Sequence, residues 1–444
     1  MGEIMLENFV LLLFIIVLIG SIVLKISLVL ALLANLILFI IYCLIKGHKL
    51  KESLNFVYQG FSTCKLMLFI FLLIGMITGT WRACGTISYI IYNAVKIISP
   101  NYFYVGIFLF NATVSLLTGS SFGTSSTAGI ISMTLSYAIN MNPYFSAGAI
   151  ISGCFVGDRT SPMSTSALLI ATITKTDFYN NIKNMIKTSI IPIILTIITF
   201  QILNLNSLGT IHNVDLSSIK SDFNFNIILA IPAILIIILA MFKVPLKYNM
   251  GLSIIIAISL AYFFQNMSLN QILRSALLGY VNENADKSIN GGGVISMAKA
   301  ILIVGISSGY FGIFKNTDLL KSIKLTVNSL YKKFPQLFVM EILSIIIACF
   351  SSNQTLSIML TYEMSRENIE DKEKLALNLS NSALLNSMFI PWNISGRIPI
   401  DTISAPIGGI YFSFYNIYMI LVNTLADIWA NKKHHYELTP KSWT

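Results

Sequence analysis

Gly153-Cys154-Phe155-Val156-Gly157-Asp158-Arg159-Thr160-Ser161-Pro162-Met163-Ser164 sets a carboxylate, a guanidinium and a proline between apolar runs. Those runs are long enough to be embedded in a membrane. At the centre of a bilayer a charged side chain costs about 2.5–3.5 kcal/mol on insertion scales. Irregular backbone persists at that depth only where protein covers it or where it lines a water-filled cavity. The stretch therefore reads as the lining of a path through the membrane, with Pro162 close to the point where a helix stops.

The rest of the chain agrees with that setting. Of its 444 residues 55% are hydrophobic and only 11% charged, with a mean hydropathy of +0.76. A soluble chain carries about 25% charged residues, so most of this one belongs in lipid. Apolar runs recur from Phe9 to Thr424 without a long polar block, which predicts a single membrane domain over residues 1–444. The net charge of +10 comes from lysines and arginines gathered in short loops, such as Lys46, Lys49 and Lys51, or Lys175, Lys183 and Lys187. That is the positive-inside pattern of membrane topology, and no nucleic-acid partner is expected. Cys43, Cys64, Cys84, Cys154 and Cys349 follow no metal or disulfide spacing and read as packing residues. The first apolar run lacks a basic leader and a small-residue cleavage site, so it reads as a retained helix.

Candidate membrane segments are Phe9–Leu24, Ile26–Ile45, Leu66–Thr80, Tyr102–Leu117, Phe145–Val156, Met185–Leu203, Phe225–Phe242, Met250–Phe264, Val294–Phe314, Leu337–Phe350 and Tyr411–Ile428. Several fall short of the ~20 residues of a full span, and about 10–13 segments are expected in all. The basic loops, the mixed-charge loop Arg366–Lys374 and both termini fall on the cytoplasmic side of a plasma membrane. The polar loop Asn204–Asn224 falls outside.

The breaks occur in pairs. Thr118-Gly119-Ser120-Ser121-Phe122-Gly123-Thr124-Ser125-Ser126-Thr127 precedes the Asp158–Pro162 break by about 40 residues. Ser351-Ser352-Asn353-Gln354-Thr355 precedes Phe389-Ile390-Pro391-Trp392-Asn393-Ile394-Ser395-Gly396-Arg397 by about the same distance. Interrupted apolar segments at corresponding places in two halves point to the central site of a secondary transporter. The expectation is an all-α, polytopic transmembrane helical bundle. It would contain two inverted repeats, roughly 54–204 and 294–428, with broken helices and re-entrant hairpins.

Unwound carbonyls, hydroxyls and amides, with one carboxylate, suit a hard monovalent cation such as Na⁺. Asp158 is the carboxylate. A buried acid that trades its proton for a cation is the simplest device for exchanging the two; the alternative is a structural ion pair with an arginine of another helix. Ser120, Ser121, Thr124, Ser161, Ser351, Asn353 and Asn393 are the candidate neutral ligands. A small-residue packing face is the alternative for Ser120–Thr127, although the run is more polar than packing alone requires; interhelical hydrogen bonds account equally for Asn353 and Gln354. Trp392 reads as part of the break or as an interfacial anchor. Arg159 and Arg397 could receive an anion or act as gates, or Arg397 could pair with Asp401. Arg82, Lys299 and Glu341 read as snorkelling residues near helix ends. His48, His212, His434 and His435 lie in loops or the tail, which argues against a histidine relay. There is no P-loop, HExxH or GxSxG, so neither direct ATP coupling nor an enzyme activity is expected, and no cofactor.

Gly157-Asp158-Arg159-Thr160-Ser161-Pro162-Met163-Ser164 resembles the GDKxSPxSD signature of the NhaC family of sodium/proton antiporters. Thr118–Thr124 resembles that family's TGTSWGT segment, and Asn290–Met297 its RGG-helix segment. Ser352–Leu360 and Pro391-Trp392-Asn393 are similar to its GDQ and PWN segments. The resemblance implies Na⁺/H⁺ exchange by alternating access, with Na⁺ and H⁺ as substrates, and leaves room for a homodimer. Three acids of the family pattern are replaced here, by Thr165, Asn353 and Asn386. A Na⁺- or H⁺-coupled carrier of carboxylates or amino acids is the alternative, and a non-transporting membrane scaffold the alternative of another class.

Overall fold

The computed structural model describes residues 2–24, 26–97, 100–206, 223–242, 244–282, 290–317, 319, 327–351 and 353–438. Most of the loop Asn204–Asn224, with His212, lies outside these residues, as do Lys243 and Ser352, and the side chains of 431–438 are likewise not described.

The chain is a helical bundle. Its first half runs α1 (Gly2–Val23), α2 (Leu28–Ile45), α3 (Leu50–Thr63), α4 (Lys65–Ala83), α5 (Thr86–Ile97) and α6 (Phe103–Thr118). A one-turn helix α7 (Ser121–Thr124) then widens into a π-helical turn, Ser125–Gly129, before α8 (Ile130–Ala138). There follow α9 (Pro143–Thr160), α10 (Thr165–Thr174) and the long α11 (Phe178–Asn206). The middle supplies α12 (Ile231–Met241), α13 (Leu246–Phe263) and α14 (Leu269–Leu278). The last part comprises α15 (Ala298–Asn316), α16 (Gln336–Phe350), α17 (Gln354–Ser365), α18 (Lys372–Asn381), α19 (Ala383–Asn386), α20 (Ile394–Thr402) and α21 (Phe414–Leu438).

Among the described residues three stretches are long and apolar enough to cross a bilayer by themselves: Leu28–Ile45, Phe178–Leu205 and Val294–Asn316. Other apolar helices are shorter, and two of them, α6 and α16, are short because they stop at the predicted breaks. The amphipathic α3 was not among the expected segments. Its Lys51 and Glu52 interrupt the apolar run, yet Gly60 brings its backbone against Ser308 and Gly312 of α15. The run Phe225–Phe242 is divided into a 3₁₀ turn, Ile227–Ala230, and α12.

Among the described residues three large apolar cores hold the bundle, beside a small one of Ala167, Ile182 and Met185. One joins α6 and α9 to α18, α19 and α21; a second joins α4 to α12, α13 and α14; a third joins α1 and α2 to α15 and α16. Trp392 belongs to the third. It is buried and its Nε1 donates to the Cys349 carbonyl at 2.8 Å, so it ties the fourth break to the end of α16 and does not sit at an interface. The five cysteines are free, four of them buried. The starts of α11 and α18 lie together, where Asn180 bonds to Glu373, and Lys374 of α18 pairs with Asp427 of α21 at 3.7 Å.

Candidate functional site

Each break has the same local construction. A helix ends, one or more residues run extended, and a polar side chain caps the next helix. After α6, Gly119 adopts φ 64°, a left-handed conformation that glycine takes without the Cβ penalty. Ser120 then caps α7 by accepting from the Gly123 amide at 3.2 Å. Ser164 caps α10 at Ala167, Asn353 caps α17 at Leu356, and Asn393 caps α20 at Ser395, each at 3.0 Å. In an apolar setting these first-turn amides have no water to bond, so the caps are a condition of the breaks.

The halves of each pair are then stitched together. Ser161 Oγ donates to the Leu116 carbonyl at 2.6 Å and accepts from the Met163 amide at 3.0 Å, joining the second break to the end of α6. Ser115 Oγ donates to the Cys154 carbonyl and accepts from the Gly157 amide. On the other side Asn393 Nδ2 donates to Ala348 O at 3.1 Å and Ser351 O at 2.9 Å, joining the fourth break to the end of α16.

Asp158 lies in the last turn of α9, 3% exposed. Ser121 Oγ donates to its Oδ2 at 3.3 Å, and Gln354 Nε2 donates to the same oxygen at 3.0 Å. Gln354 is positioned by Ser166, which donates to its Oε1 at 3.0 Å, and by the Leu384 carbonyl, which accepts from its Nε2 at 2.9 Å. Three of the four breaks thus meet at one carboxylate, with α19 held against it through Gln354. No described lysine or arginine pairs with Asp158. A buried carboxylate surrounded by neutral donors and hydroxyl oxygens can exchange a proton for a small cation without breaking an ion pair.

The Na⁺/H⁺ antiporter family matches two overlapping segments of the sequence, residues 2–177 and 153–426. The chain belongs to that family. It is a multi-pass membrane protein of a secondary-transporter family. It is 26% identical over 413 residues to the malate-2H(+)/Na(+)-lactate antiporter of Bacillus subtilis, covering 87% of each chain. It is also 26% identical to the Na(+)/H(+) antiporter NhaC of Alkalihalophilus pseudofirmus, over 77% of this chain and 76% of that one. To the arginine/ornithine antiporter ArcD of Halobacterium salinarum it is 22% identical, over 77% and 73%.

Within this antiporter-family fold the remaining candidates take different places. Of the neutral candidates, Ser121 is bonded to Asp158. Ser120, Asn353 and Asn393 cap helices, while Thr124 Oγ1 bonds Ser120 O and Thr118 Oγ1, each at 2.9 Å. Ser351 Oγ pairs with Ser357 Oγ at 2.5 Å. Arg159 is fully buried and spends all five of its donors: Nε on Ser380 O, Nη1 on Met185 O and Ser189 Oγ, Nη2 on Thr188 Oγ1 and Asn381 Oδ1, at 2.5–3.2 Å. It clamps α9 to α11 and α18, with no donor left for an anion. Arg397 Nε donates to Asp401 at 2.5 Å, the pairing open from sequence. Beside the first two breaks is a cavity of about 360 Å³ lined by Thr118, Ser120, Thr127, Thr165 and Asn249, among others; neither arginine lines it.

Sequence reasoning left Gln354 open and missed Ser166. It misplaced Glu341, which does not snorkel: it is 5% exposed and bonded to Asn386. Arg82 in the last turn of α4 is half-buried and donates to Thr78 O, while Lys299 is exposed at the start of α15.

Proposed function

We propose that the protein exchanges Na⁺ for H⁺ across the cell membrane by alternating access, with Asp158 binding either cation. The observation that carries this is the buried Asp158 carboxylate, held by Ser121 and Gln354 at the meeting of the breaks without an ion-pair partner. The repeats, roughly 54–204 and 294–428, would rock about this point, which the matching pairs of capped breaks support. The end of the bundle that gathers Lys183, Lys187, Lys372 and Lys374 would face the cytoplasm with both termini.

The names of the relatives raise carboxylates and amino acids as cargo. A cationic side chain in the cavity would favour such an anion, but Arg159 spends its donors on α11 and α18, Arg397 pairs with Asp401, and neither lines the cavity. Purified protein in liposomes should therefore take up ²²Na⁺ when an imposed pH gradient drives H⁺ outward, without lactate, malate or arginine. Uptake only when one of those solutes is present on the opposite side would replace this reading with a carboxylate or amino-acid carrier.

Thr165 opens α10 and lines the cavity, and Asn353 caps α17. Asp caps as well as Asn does, so Asn353→Asp keeps the helix start. The double variant Thr165→Asp/Asn353→Asp should bind Na⁺ more tightly or move a different charge per cycle. Unchanged Na⁺ affinity and unchanged electrogenicity in liposomes would place both positions outside the ion path.

A further inference from the structure

The described residues hold a second buried acid that Na⁺/H⁺ exchange at Asp158 does not use. Glu341 lies on α16, and its Oε2 is 2.5 Å from Asn386 Nδ2 of α19. Asn386 Nδ2 also reaches Ser344 Oγ at 2.7 Å, and Ser344 Oγ itself donates to the Glu341 carbonyl at 2.9 Å. Both side chains are at least nine-tenths buried, 5% exposed for Glu341 and 1% for Asn386. Yet each keeps an oxygen with no partner: Glu341 Oε1 and Asn386 Oδ1. Two orphaned acceptors on side chains already joined by one hydrogen bond are costly in an apolar interior, because each loses its bond to water and gains none in return. A proton on Oε1 gives Glu341 a donor to offer and turns the pair into an acid facing an amide, in which each side chain can both donate and accept. Turning the amide over leads to the same place. Asn386 Oδ1 would then stand at the 2.5 Å contact, and two oxygens share that distance only through a proton.

No described cation offers charge compensation instead. On the elements packed against α16, Glu363 pairs with Arg366, Lys374 with Asp427 and Glu7 with Lys46, while Lys372, Glu373, Lys299 and Lys315 are exposed and Tyr310 bonds to the Leu32 carbonyl. Tyr362 lies under Arg366, Tyr415 bonds to Ser189 and Tyr418 to Thr199. None of them is hydrogen-bonded or ion-paired to Glu341.

The position also connects to the first acid. Gln354 bonds Asp158 and the Leu384 carbonyl, and Leu384 and Asn386 lie on the same one-turn helix α19, between the kink at Ser382 and the Pro391 break. These contacts join Asp158 to the partner of Glu341 through Gln354 and α19.

We propose that Glu341 is a second proton-carrying carboxylate, protonated in this conformation, paired with Asn386 and coupled to Asp158 through Gln354 and α19. Its proton leaves when α19 moves and returns when α19 resets. The coupling rests on the exchange reading above; the protonation does not.

Infrared spectroscopy of the purified protein at pH 7 tests the two parts separately. The wild type should show the carbonyl band of a protonated carboxylic acid. The band should move in protein grown with ¹³C-labelled glutamate, which needs no variant; Glu7, the other buried glutamate described, is paired with Lys46. It should vanish in Glu341→Gln, whose amide can keep the pairing with Asn386, and persist in Asp158→Asn. No glutamate-derived band in the wild type would overturn the protonation. Protons released on adding Na⁺ to the detergent-solubilised protein should fall by about half in Glu341→Gln. Release equal to wild type would make the proton a fixed structural one and overturn the coupling. Loss of release in Asp158→Asn with the band intact leaves the first site's role separable from this one.

Discussion

Asp158→Asn should reduce Na⁺-coupled flux to background while the protein still folds and inserts. Asn keeps an oxygen for Ser121 and Gln354 to donate to, and it carries no charge to bury, so nothing in the packing is lost. The electrostatic attraction is lost. A unit charge pair at 4 Å in an effective dielectric of 20 is worth about 4 kcal/mol. At 1.4 kcal/mol per decade that corresponds to Na⁺ binding weaker by on the order of 1000-fold. The amide also cannot take up a proton to return empty. The checks are a gel-filtration profile like that of the wild type, together with ²²Na⁺ uptake in liposomes under a pH gradient. Full Na⁺-dependent uptake in the variant would remove Asp158 from the ion path and shift attention to the Glu341–Asn386 pair.

The chain's breaks were legible because polarity in an apolar run is expensive. Ser120, Asp158, Asn353 and Asn393 stand out in the one-dimensional text as they do in the fold. What they do there was less legible. Ser120, Asn353 and Asn393 satisfy helix starts, a local duty that hydroxyl and amide side chains take on wherever a helix restarts away from water. Which side chain reaches Asp158 depended on contacts across 196 residues, from Gln354, and no spacing within one segment encodes that. Arg159 looked like an anion post because it neighbours Asp158 in sequence. On a helix, adjacent residues point about 100° apart, so it turns away from Asp158 toward α11 and α18. Glu341 looked peripheral because it sits in the second turn of α16. The helix is tucked under α19 at that point, and the partner that reveals the burial, Asn386, lies 45 residues on. The long-range partners are the part of the site that a linear reading could not supply.

One close approach was written in the sequence and is a second place where a small change has a large consequence. Gly153 and Gly157 are four residues apart on one face of α9, the small-xxx-small spacing that lets membrane helices touch backbone to backbone. A Cβ on Gly157 would stand 2.0 Å from Ser115 C and 2.1 Å from Ser115 O, and one on Gly153 2.6 Å from Phe108 O. These are backbone atoms of α6, which cannot rotate aside as a side chain can. Gly157→Val should therefore force α6 and α9 apart. It would break the Ser115 and Ser161 stitches and carry Asp158 away from Ser121, since α7 follows directly from α6. Ordinary overpacking costs about 1–3 kcal/mol, and a clash with fixed backbone belongs at or above the top of that range. The expected result is no monodisperse folded protein for Gly157→Val and a lowered melting temperature for Gly157→Ala. Gly106, on the same helix α6 but with nothing within 4 Å of its would-be Cβ, is the control. Gly106→Ala should leave stability unchanged or raise it by about 0.4–1 kcal/mol, because alanine restricts the unfolded chain and suits a helix better. If Gly157→Val melts like the wild type, α6 and α9 do not touch along this face, and the geometry that brings Ser121 to Asp158 falls with them.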